Sequence, residues 1–534
     1  MTIALARQAQ DRGRAAGWLL IGGIVLASLT EAIGGTALSL SAGDIMGDIH
    51  ATPDEFAWLD IGYTAAKLTG FALTPWLLAR VRPCRALLAA TLAIGAAGGL
   101  AAFTAPLDLF ILLRAIQGSA GAVLLVSGQA ILFLVYPRPS QPLVQAIFAM
   151  GAVVAPATLA PALQGWLIDS GSWTWVFFAA FPVSLAAAGL LTTAGPVLIP
   201  PTPLRRLDWM GLAPISGALF CLTYLLSRGN RWEWFDESRI VWLGLAAGAG
   251  IVLFALRQAR AASDPLFDLG VFRSGDFSFA FTVSFVAGAA LLGSGYLIPG
   301  FAVSVLDLTP TDAGFLLLPS GAMFAGSLLL AAYLIQARGL SPIATVPFGI
   351  ALIMAAMWML SGSSAESGAG DMMPAVLLRG LGLGFLFLSI TLIAFDRLPR
   401  DHLAVGIALF SIGRQLGGML GLASLQTLLD HEMAVSRTVL GTSLVAGEPA
   451  VAERLASMTA LLMARGLEPG PAGQVATALL GRTVSGQAAV IAFDTAFAAV
   501  ALLFVAAAPI VIGIRIALSR AAARRVREIE GAGS

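Results

Sequence analysis

Charge is what this sequence has least of. Asp, Glu, Lys and Arg make up 11% of the residues, against 58% hydrophobic and a mean hydropathy of +0.87, a balance that soluble domains do not show. Lysine is all but missing, Lys67 being the one lysine in 534 residues. A formal net charge of +1 offers no basic surface for nucleic acid. Two cysteines, Cys84 in a short basic loop and Cys221 in an apolar run, exclude a disulfide framework. No paired-histidine metal motif occurs, and His50 with Asp44, Asp48 and Asp54 reads as a solvated acidic loop rather than a metal cluster. A Gly-x-x-x-x-Gly-Lys-Ser/Thr phosphate loop is also absent. With no soluble domain large enough to hydrolyse nucleotides, the chain does not read as an enzyme and calls for no cofactor or metal. Any pumping it performs draws on an ion gradient.

Long apolar runs are present instead, at about 17–38, 56–79, 86–105, 108–135, 142–167, 174–196, 209–227, 240–257, 277–304, 311–336, 341–361, 372–395, 403–428 and 487–516, each long enough to cross a bilayer. The pattern predicts an all-α polytopic membrane protein with fourteen spans. The basic N-terminus, with Arg7, Arg12 and Arg14, reads as the start of a retained first helix rather than a cleaved signal. Basic residues gather on one side of the predicted topology: both tails, Arg80, Arg82 and Arg85, Arg138, Arg205 and Arg206, Arg257 and Arg260, Arg397 and Arg400. The other side has chiefly Arg228, Arg231 and Arg239 and the arginines of a long loop, 429–486. The positive-inside rule then places both termini in the cytoplasm.

Two stretches recur. Leu112-Leu113-Arg114 of the fourth span returns as Leu377-Leu378-Arg379 of the twelfth, and Ala146-Ile147-Phe148-Ala149-Met150-Gly151 of the fifth as Ala408-Leu409-Phe410-Ser411-Ile412-Gly413 of the thirteenth. The offsets nearly agree. We therefore expect a six-helix bundle over 1–196, an inserted helix pair with its linkers over 197–262 after the Pro-rich segment 199–203, and a second six-helix bundle over 263–534, with a transport pathway between the bundles.

Charges inside the spans need a reason, because an arginine at that depth costs about 3 kcal/mol on insertion scales. At 1.5 Å per residue Glu31 lies ~21 Å from the inner end of its helix and Arg114 ~9 Å from the outer end of its own, one level in a core of about 30 Å. Asp60, Thr64 and Lys67 share a helix face by their spacing. A Glu31, Asp60, Lys67 and Arg114 cluster is predicted in the outer half of the first bundle. It reads as a proton-coupling site, since a desolvated carboxylate and a mobile cation partner switch protonation together, or as static neutralisation that fixes helix packing. Gly118 and Gly121 beside Arg114 let a neighbouring helix approach. The second bundle carries Arg379, Arg414, Gln415 and Asp494, with Arg414 and Asp494 expected at similar depth as a structural ion pair. Gly151, Pro156, Pro161 and Gly165 of the fifth span mark a hinge or gate, or a fixed kink. In 429–486, Val451, Leu455, Met458 and Leu462 share one helical face, broken by Glu468-Pro469-Gly470-Pro471, and suit docking of a partner or lying on the membrane surface.

These residues resemble the major facilitator superfamily, specifically its fourteen-helix drug:proton antiporters of the EmrB/QacA type. Arg114, Gln117, Gly118 and Gly121 fit the family's fourth-helix motif, associated with proton transfer. Pro156, Pro161 and Gly165 fit its antiporter motif. Ser172-Trp173-Thr174-Trp175, Arg414-Gln415-Leu416-Gly417-Gly418 and Ala492-Phe493-Asp494-Thr495-Ala496-Phe497 are similar to further signatures. The branch is divergent. Ala79 stands where the family's loop aspartate is usual, Thr30 where its first-helix aspartate aligns, with Glu31 next door, and Ala155, Ala160 and Gln164 where glycines are common. The resemblance implies a major facilitator fold and a proton-coupled exporter of amphipathic or aromatic compounds in the bacterial inner membrane. It also implies alternating access and, through the long loop, delivery to a periplasmic membrane-fusion adaptor and an outer-membrane channel. The competing readings are a narrow-substrate transporter and a non-transporting membrane binding protein or sensor.

Overall fold

The computed structural model describes residues 2–38, 41–195, 206–260, 266–442 and 448–532, with side chains outside the description at 2–14, 169–170, 310 and 508–532. All regular structure among the described residues is helical. The first bundle comprises α1 (Thr2–Thr36), the short α2 (Ala42–Asp48), α3 (Pro53–Arg80), α4 (Pro83–Ala101), α5 (Leu107–Val135), α6 (Gln141–Ala149), α7 (Ala160–Ser170) and α8 (Thr174–Thr193). The inserted pair is α9 (Trp209–Arg228) and α10 (Ser238–Arg260), followed by α11 (Gly275–Ser304), α12 (Pro310–Arg338), α13 (Pro342–Leu360), α14 (Ala369–Phe395), α15 (Arg400–Thr442), α16 (Pro449–Ala464) and α17 (Pro469–Ala532). The Pro-rich segment 199–203 and Arg205 lie outside the described residues.

Thirteen of the described helices are long and apolar enough to cross a membrane. The remaining expected span is α3, which is 28 residues long but carries Asp54, Glu55, Asp60, Lys67 and Arg80. Tertiary packing offsets that polarity: α3 lies along α5 on one side and against α9 on another. A Thr52 cap, with Glu55 accepting from the Thr52 backbone N–H at 2.8 Å, starts it, and those hydrogen bonds hold the exposed Glu55 carboxyl below the usual carboxylate range.

The fifth span is not one α-helix. Between α6 and α7, Met150–Leu159 forms a wide, π-helical segment containing Pro156, whose missing N–H loosens the hydrogen-bond ladder. The expected long loop 429–486 is largely helix. α15 continues to Thr442, α16 follows, and α17 starts at Pro469, so the breaker at Glu468-Pro469-Gly470-Pro471 is a helix start, Pro being favoured in a first turn. Val451, Leu455, Met458 and Leu462 of α16 are each half-buried, while Leu461 and Met463 are exposed. Their shared face packs on α17, as their spacing requires.

Within each bundle, helices meet through missing side chains, as expected where packing alone drives association. A Cβ at Gly118 of α5 would run into the Tyr63 carbonyl oxygen of α3, and one at Gly380 of α14 into the Ser320 carbonyl oxygen of α12. Across the bundles, α15 packs on α3 and α5, while α12 packs on α6, the wide segment and α7. At the face of the molecule carrying the chain termini, Phe133 meets Phe395 edge-on at 5.5 Å and Arg138 lies 3.9 Å from Asp396. Gly118→Ala is expected to destabilise the protein by roughly 1–3 kcal/mol through overpacking. Gly34→Ala, which meets no neighbour within 4 Å, should be near neutral. Thermal unfolding of the two variants in detergent checks this, and equal midpoints would refute the close-packing account.

Candidate functional site

Glu31, 4% exposed, is set between α1, α3 and α5. Its Oε1 lies 2.5 Å from Lys67 Nζ and accepts a hydrogen bond from Tyr63 Oη at 2.7 Å. Tyr63 and Lys67 are four residues apart on α3 and present one face. Small residues make the seat: a Cβ on Gly121 would stand 3.0 Å from Glu31 Cγ, and one on Gly35 2.9 Å from Tyr63 Oη. The single lysine of the chain thus pairs with the carboxylate buried in α1 among the described residues.

Arg114 is fully buried but does not touch a carboxylate among the described residues. Its Nη1 donates to Gly34 O at 2.6 Å and to Gln117 Oε1 at 2.9 Å, and its Nε to Leu59 O at 3.4 Å. The guanidinium lies 4.3 Å from the Tyr63 ring centroid and 5.9 Å from that of Phe177, a cation–π arrangement that desolvation strengthens. Tyr63 therefore stands between the two motifs, giving its hydroxyl to Glu31 and its ring face to Arg114. Sequence reasoning did not single it out. The signal available was its i, i+4 relation to Lys67 and the rarity of tyrosine, five in the chain.

Of the expected four-residue cluster, the structure joins Glu31 to Lys67, seats Arg114 one side chain away, and leaves the Asp60 side chain solvent-accessible though surrounded by protein. Asp60 forms no hydrogen bond or ion pair among the described residues, although it lies within electrostatic reach of Arg114 and Lys67. Gln164 of α7, at a position where the antiporter motif commonly has glycine, donates to Ile33 O at 3.2 Å and Thr36 Oγ1 at 2.7 Å, clamping the end of α1. Gly151 packs on the Val25 carbonyl of α1, Pro156 lies in the wide segment, Pro161 is in the first turn of α7 and Gly165 is buried. The motif occupies the seam between α1 and α12 of the other bundle.

In the second bundle Arg379, 1% exposed, repeats the logic of Arg114 with neutral partners: Nε to Ser294 Oγ at 2.7 Å, Nη1 to Ser320 Oγ at 3.2 Å and Nη2 to Leu291 O at 3.5 Å. The expected Arg414–Asp494 ion pair is not formed. Asp494 Oδ1 is buried without a hydrogen-bond partner among the described residues, and half-buried Arg414, beside half-buried Gln415, is drawn electrostatically to Glu31 of the first bundle. Equal depth fixes a level along two helices, not the direction in which each side chain turns. The acids near His50 are dispersed as well: Asp48 accepts from Trp173 Nε1 at 2.6 Å, and Asp54 pairs with Arg228 and Arg231. Among the described residues no group of three or more His, Cys, Asp or Glu could hold a metal.

Residues 20–422 match the sequence model of the Major Facilitator Superfamily. The chain is 25% identical over 483 residues to the colistin resistance protein EmrB of Acinetobacter baumannii, covering 89% of this chain and 92% of that protein. It is 25% identical over 432 residues to the multidrug export protein EmrB of Haemophilus influenzae, covering 79% and 82% respectively. Among solved structures, the human organic anion transporter MFSD10 shares the fold with a TM-score of 0.55 at 12% identity, covering 92% of this chain and 99% of that one.

The Glu31–Lys67 geometry yields a stability prediction. Lys67→Met leaves a buried carboxylate without its cation and should cost about 3–5 kcal/mol, whereas Glu31→Gln with Lys67→Met together should recover most of it. Unfolding midpoints of the two single variants and the double variant test this. A double variant as unstable as the sum of the singles would show that the two side chains do not act as a pair.

Proposed function

This chain belongs to the major facilitator superfamily, and we propose that it is a proton-coupled exporter of amphipathic or aromatic compounds in the bacterial inner membrane. The observation carrying the proposal is the Glu31–Lys67–Tyr63 constellation: a buried carboxylate whose directly contacting cation and hydroxyl donor, among the described residues, both sit on a different helix. Relative movement of α1 and α3 separates the partners. In a water-poor interior the carboxylate then exchanges Lys67 for a proton, and return of Lys67 expels that proton. Proton movement is thereby tied to helix movement. The wide segment at the seam with α12 supports alternating access between bundles bounded at 1–196 and 263–534, with 197–262 as the inserted pair. The names of the relatives, export and resistance proteins, support small-molecule efflux. The arginines at the terminal face, Arg80, Arg82, Arg138, Arg257 and Arg397 among them, support cytoplasmic termini. The helices α15, α16 and α17 rising beyond the spans support docking of a periplasmic adaptor that feeds an outer-membrane channel.

The test is substrate-stimulated proton flux in proteoliposomes under an imposed pH gradient, with lipophilic cations, phenolics and uncouplers, for the wild type and Glu31→Gln. The wild type is expected to couple flux to substrate, and Glu31→Gln to bind substrate without coupling. Equal coupling in both would remove Glu31 from the mechanism. Binding without flux in either would favour a non-transporting binding protein.

A further inference from the structure

The inserted pair has no counterpart in the two repeated bundles, and its connecting loop makes contacts that neither the repeat nor the charge cluster explains. At the face opposite the chain termini, Arg231 of this loop holds Asp54 at the start of α3, with Nε 2.8 Å from Oδ1 and Nη2 donating to Oδ2 at 3.1 Å, and Arg228 pairs with the same carboxylate. Trp58 of α3 lies 5.4 Å from the Tyr224 ring and 6.2 Å from the Phe220 ring of α9, and Trp232 packs into an apolar cluster with Ile61, Tyr224 and Ile240. That end is firmly seated on the first bundle.

The same loop reaches the second bundle by two side-chain hydrogen bonds. Asn230 Nδ2 donates to Asp430 Oδ2 at 2.5 Å, and Trp234 Nε1 donates to Thr427 Oγ1 at 2.9 Å. Both acceptors lie on α15. The loop is held in one shape for this reach: Glu233 and Trp234 both take left-handed backbone, φ 52° and 55°, a conformation that L side chains adopt only where their surroundings impose it. Gly229 carries no Cβ, which would otherwise stand 2.6 Å from the Trp234 ring.

We propose that residues 228–234 form a strap that closes the distal seam between the bundles, fixed to α3 and releasable from α15, so that opening of the distal face requires loss of the Asn230–Asp430 and Trp234–Thr427 contacts. The asymmetry decides which end lets go. The α3 end combines two arginines on one carboxylate with packed rings and an extensive α3–α9 contact, whereas the α15 end is one exposed and one half-buried hydrogen bond beside a smaller contact with α9, each bond of modest net strength. At the opposite face the bundles meet through Phe133–Phe395 and Arg138–Asp396, so the strap is the distal member of two closures of the same seam. The proposal rests on the alternating-access reading.

The test uses the full chain in nanodiscs, with Cys84→Ser and Cys221→Ser as background. Spin labels at Ala51→Cys and Ala434→Cys report the distal face, and a second pair at Ser140→Cys and Arg400→Cys reports the terminal face, both read by double electron–electron resonance. Asn230→Ala with Trp234→Phe is expected to raise the distal-open population about tenfold, the effect of losing two such hydrogen bonds. Asp54→Asn, whose end remains held by ring stacking, should change it less. A disulfide between Asn230→Cys and Asp430→Cys is expected to hinder exchange of an externally added substrate and to release it on reduction. An unchanged distal distance in the Asn230→Ala, Trp234→Phe chain, or undiminished exchange in the crosslinked one, overturns the strap while leaving alternating access intact. A single fixed distance at both faces of the background chain, with and without substrate, overturns alternating access and the strap with it.

Discussion

Low dielectric is the constraint on which this structure depends, and it acts most sharply on the Glu31 carboxylate. A lone carboxylate has no place in the centre of a membrane bundle, so the fold supplies a cation and a hydroxyl from α3 and clears space for them with Gly35 and Gly121. The polarity of α3 follows from the same need. A helix that supplies Lys67 to one neighbour and Asp54 to another is poorer in apolar residues than the other spans, and it holds its place by packing along α5 and α9. The close crossing at Gly118 is what brings Tyr63 and Lys67 within reach of α1.

The repeat makes the difference between the bundles visible. Arg114 and Arg379 occupy corresponding places and are both tied to carbonyl and side-chain oxygens rather than to carboxylates. Around Arg114 the carboxyl groups of Glu31 and Asp60 lie within electrostatic reach. Around Arg379, among the described residues, serine hydroxyls and a carbonyl are the hydrogen-bond partners. An arginine held by neutral oxygens depends on no carboxylate partner, which suits a structural pin, although Arg114 Nη2 is buried without a hydrogen-bond partner among the described residues. The Glu31 carboxylate, held by a lysine and a tyrosine of another helix, depends instead on that helix keeping its place.

Much of this was legible in the sequence because the bilayer simplifies the problem: span positions follow from apolar length, and the level of Glu31, Lys67 and Arg114 from counting residues along each helix. What counting does not give is rotation about the helix axis. Arg414 and Asp494, expected at one depth, do not meet, and Asp60, expected on one face with Lys67, forms no ion pair with it among the described residues. Over 429–486 the apolar pattern weakens, and the sequence alone reads as a loop. α15 nonetheless runs on to Thr442, and α17 begins as early as Pro469. The strap left no trace in periodicity or motif, because its contacts join residues roughly 180 to 200 positions apart.

The wide segment at Met150–Leu159 has a mechanical meaning of its own. A stretch wound more loosely than an α-helix leaves the α-helical turns on either side out of phase with the screw that an unbroken helix would follow, each surplus residue representing a turn of roughly 100°. Moving the loose stretch along the chain by a few residues twists α7 against α6 while neither end need lift from its neighbours. α1 and α12 of the other bundle both pack on this segment, so a twist there is delivered directly to the seam between the bundles. The segment is in that sense a worm gear set into the seam.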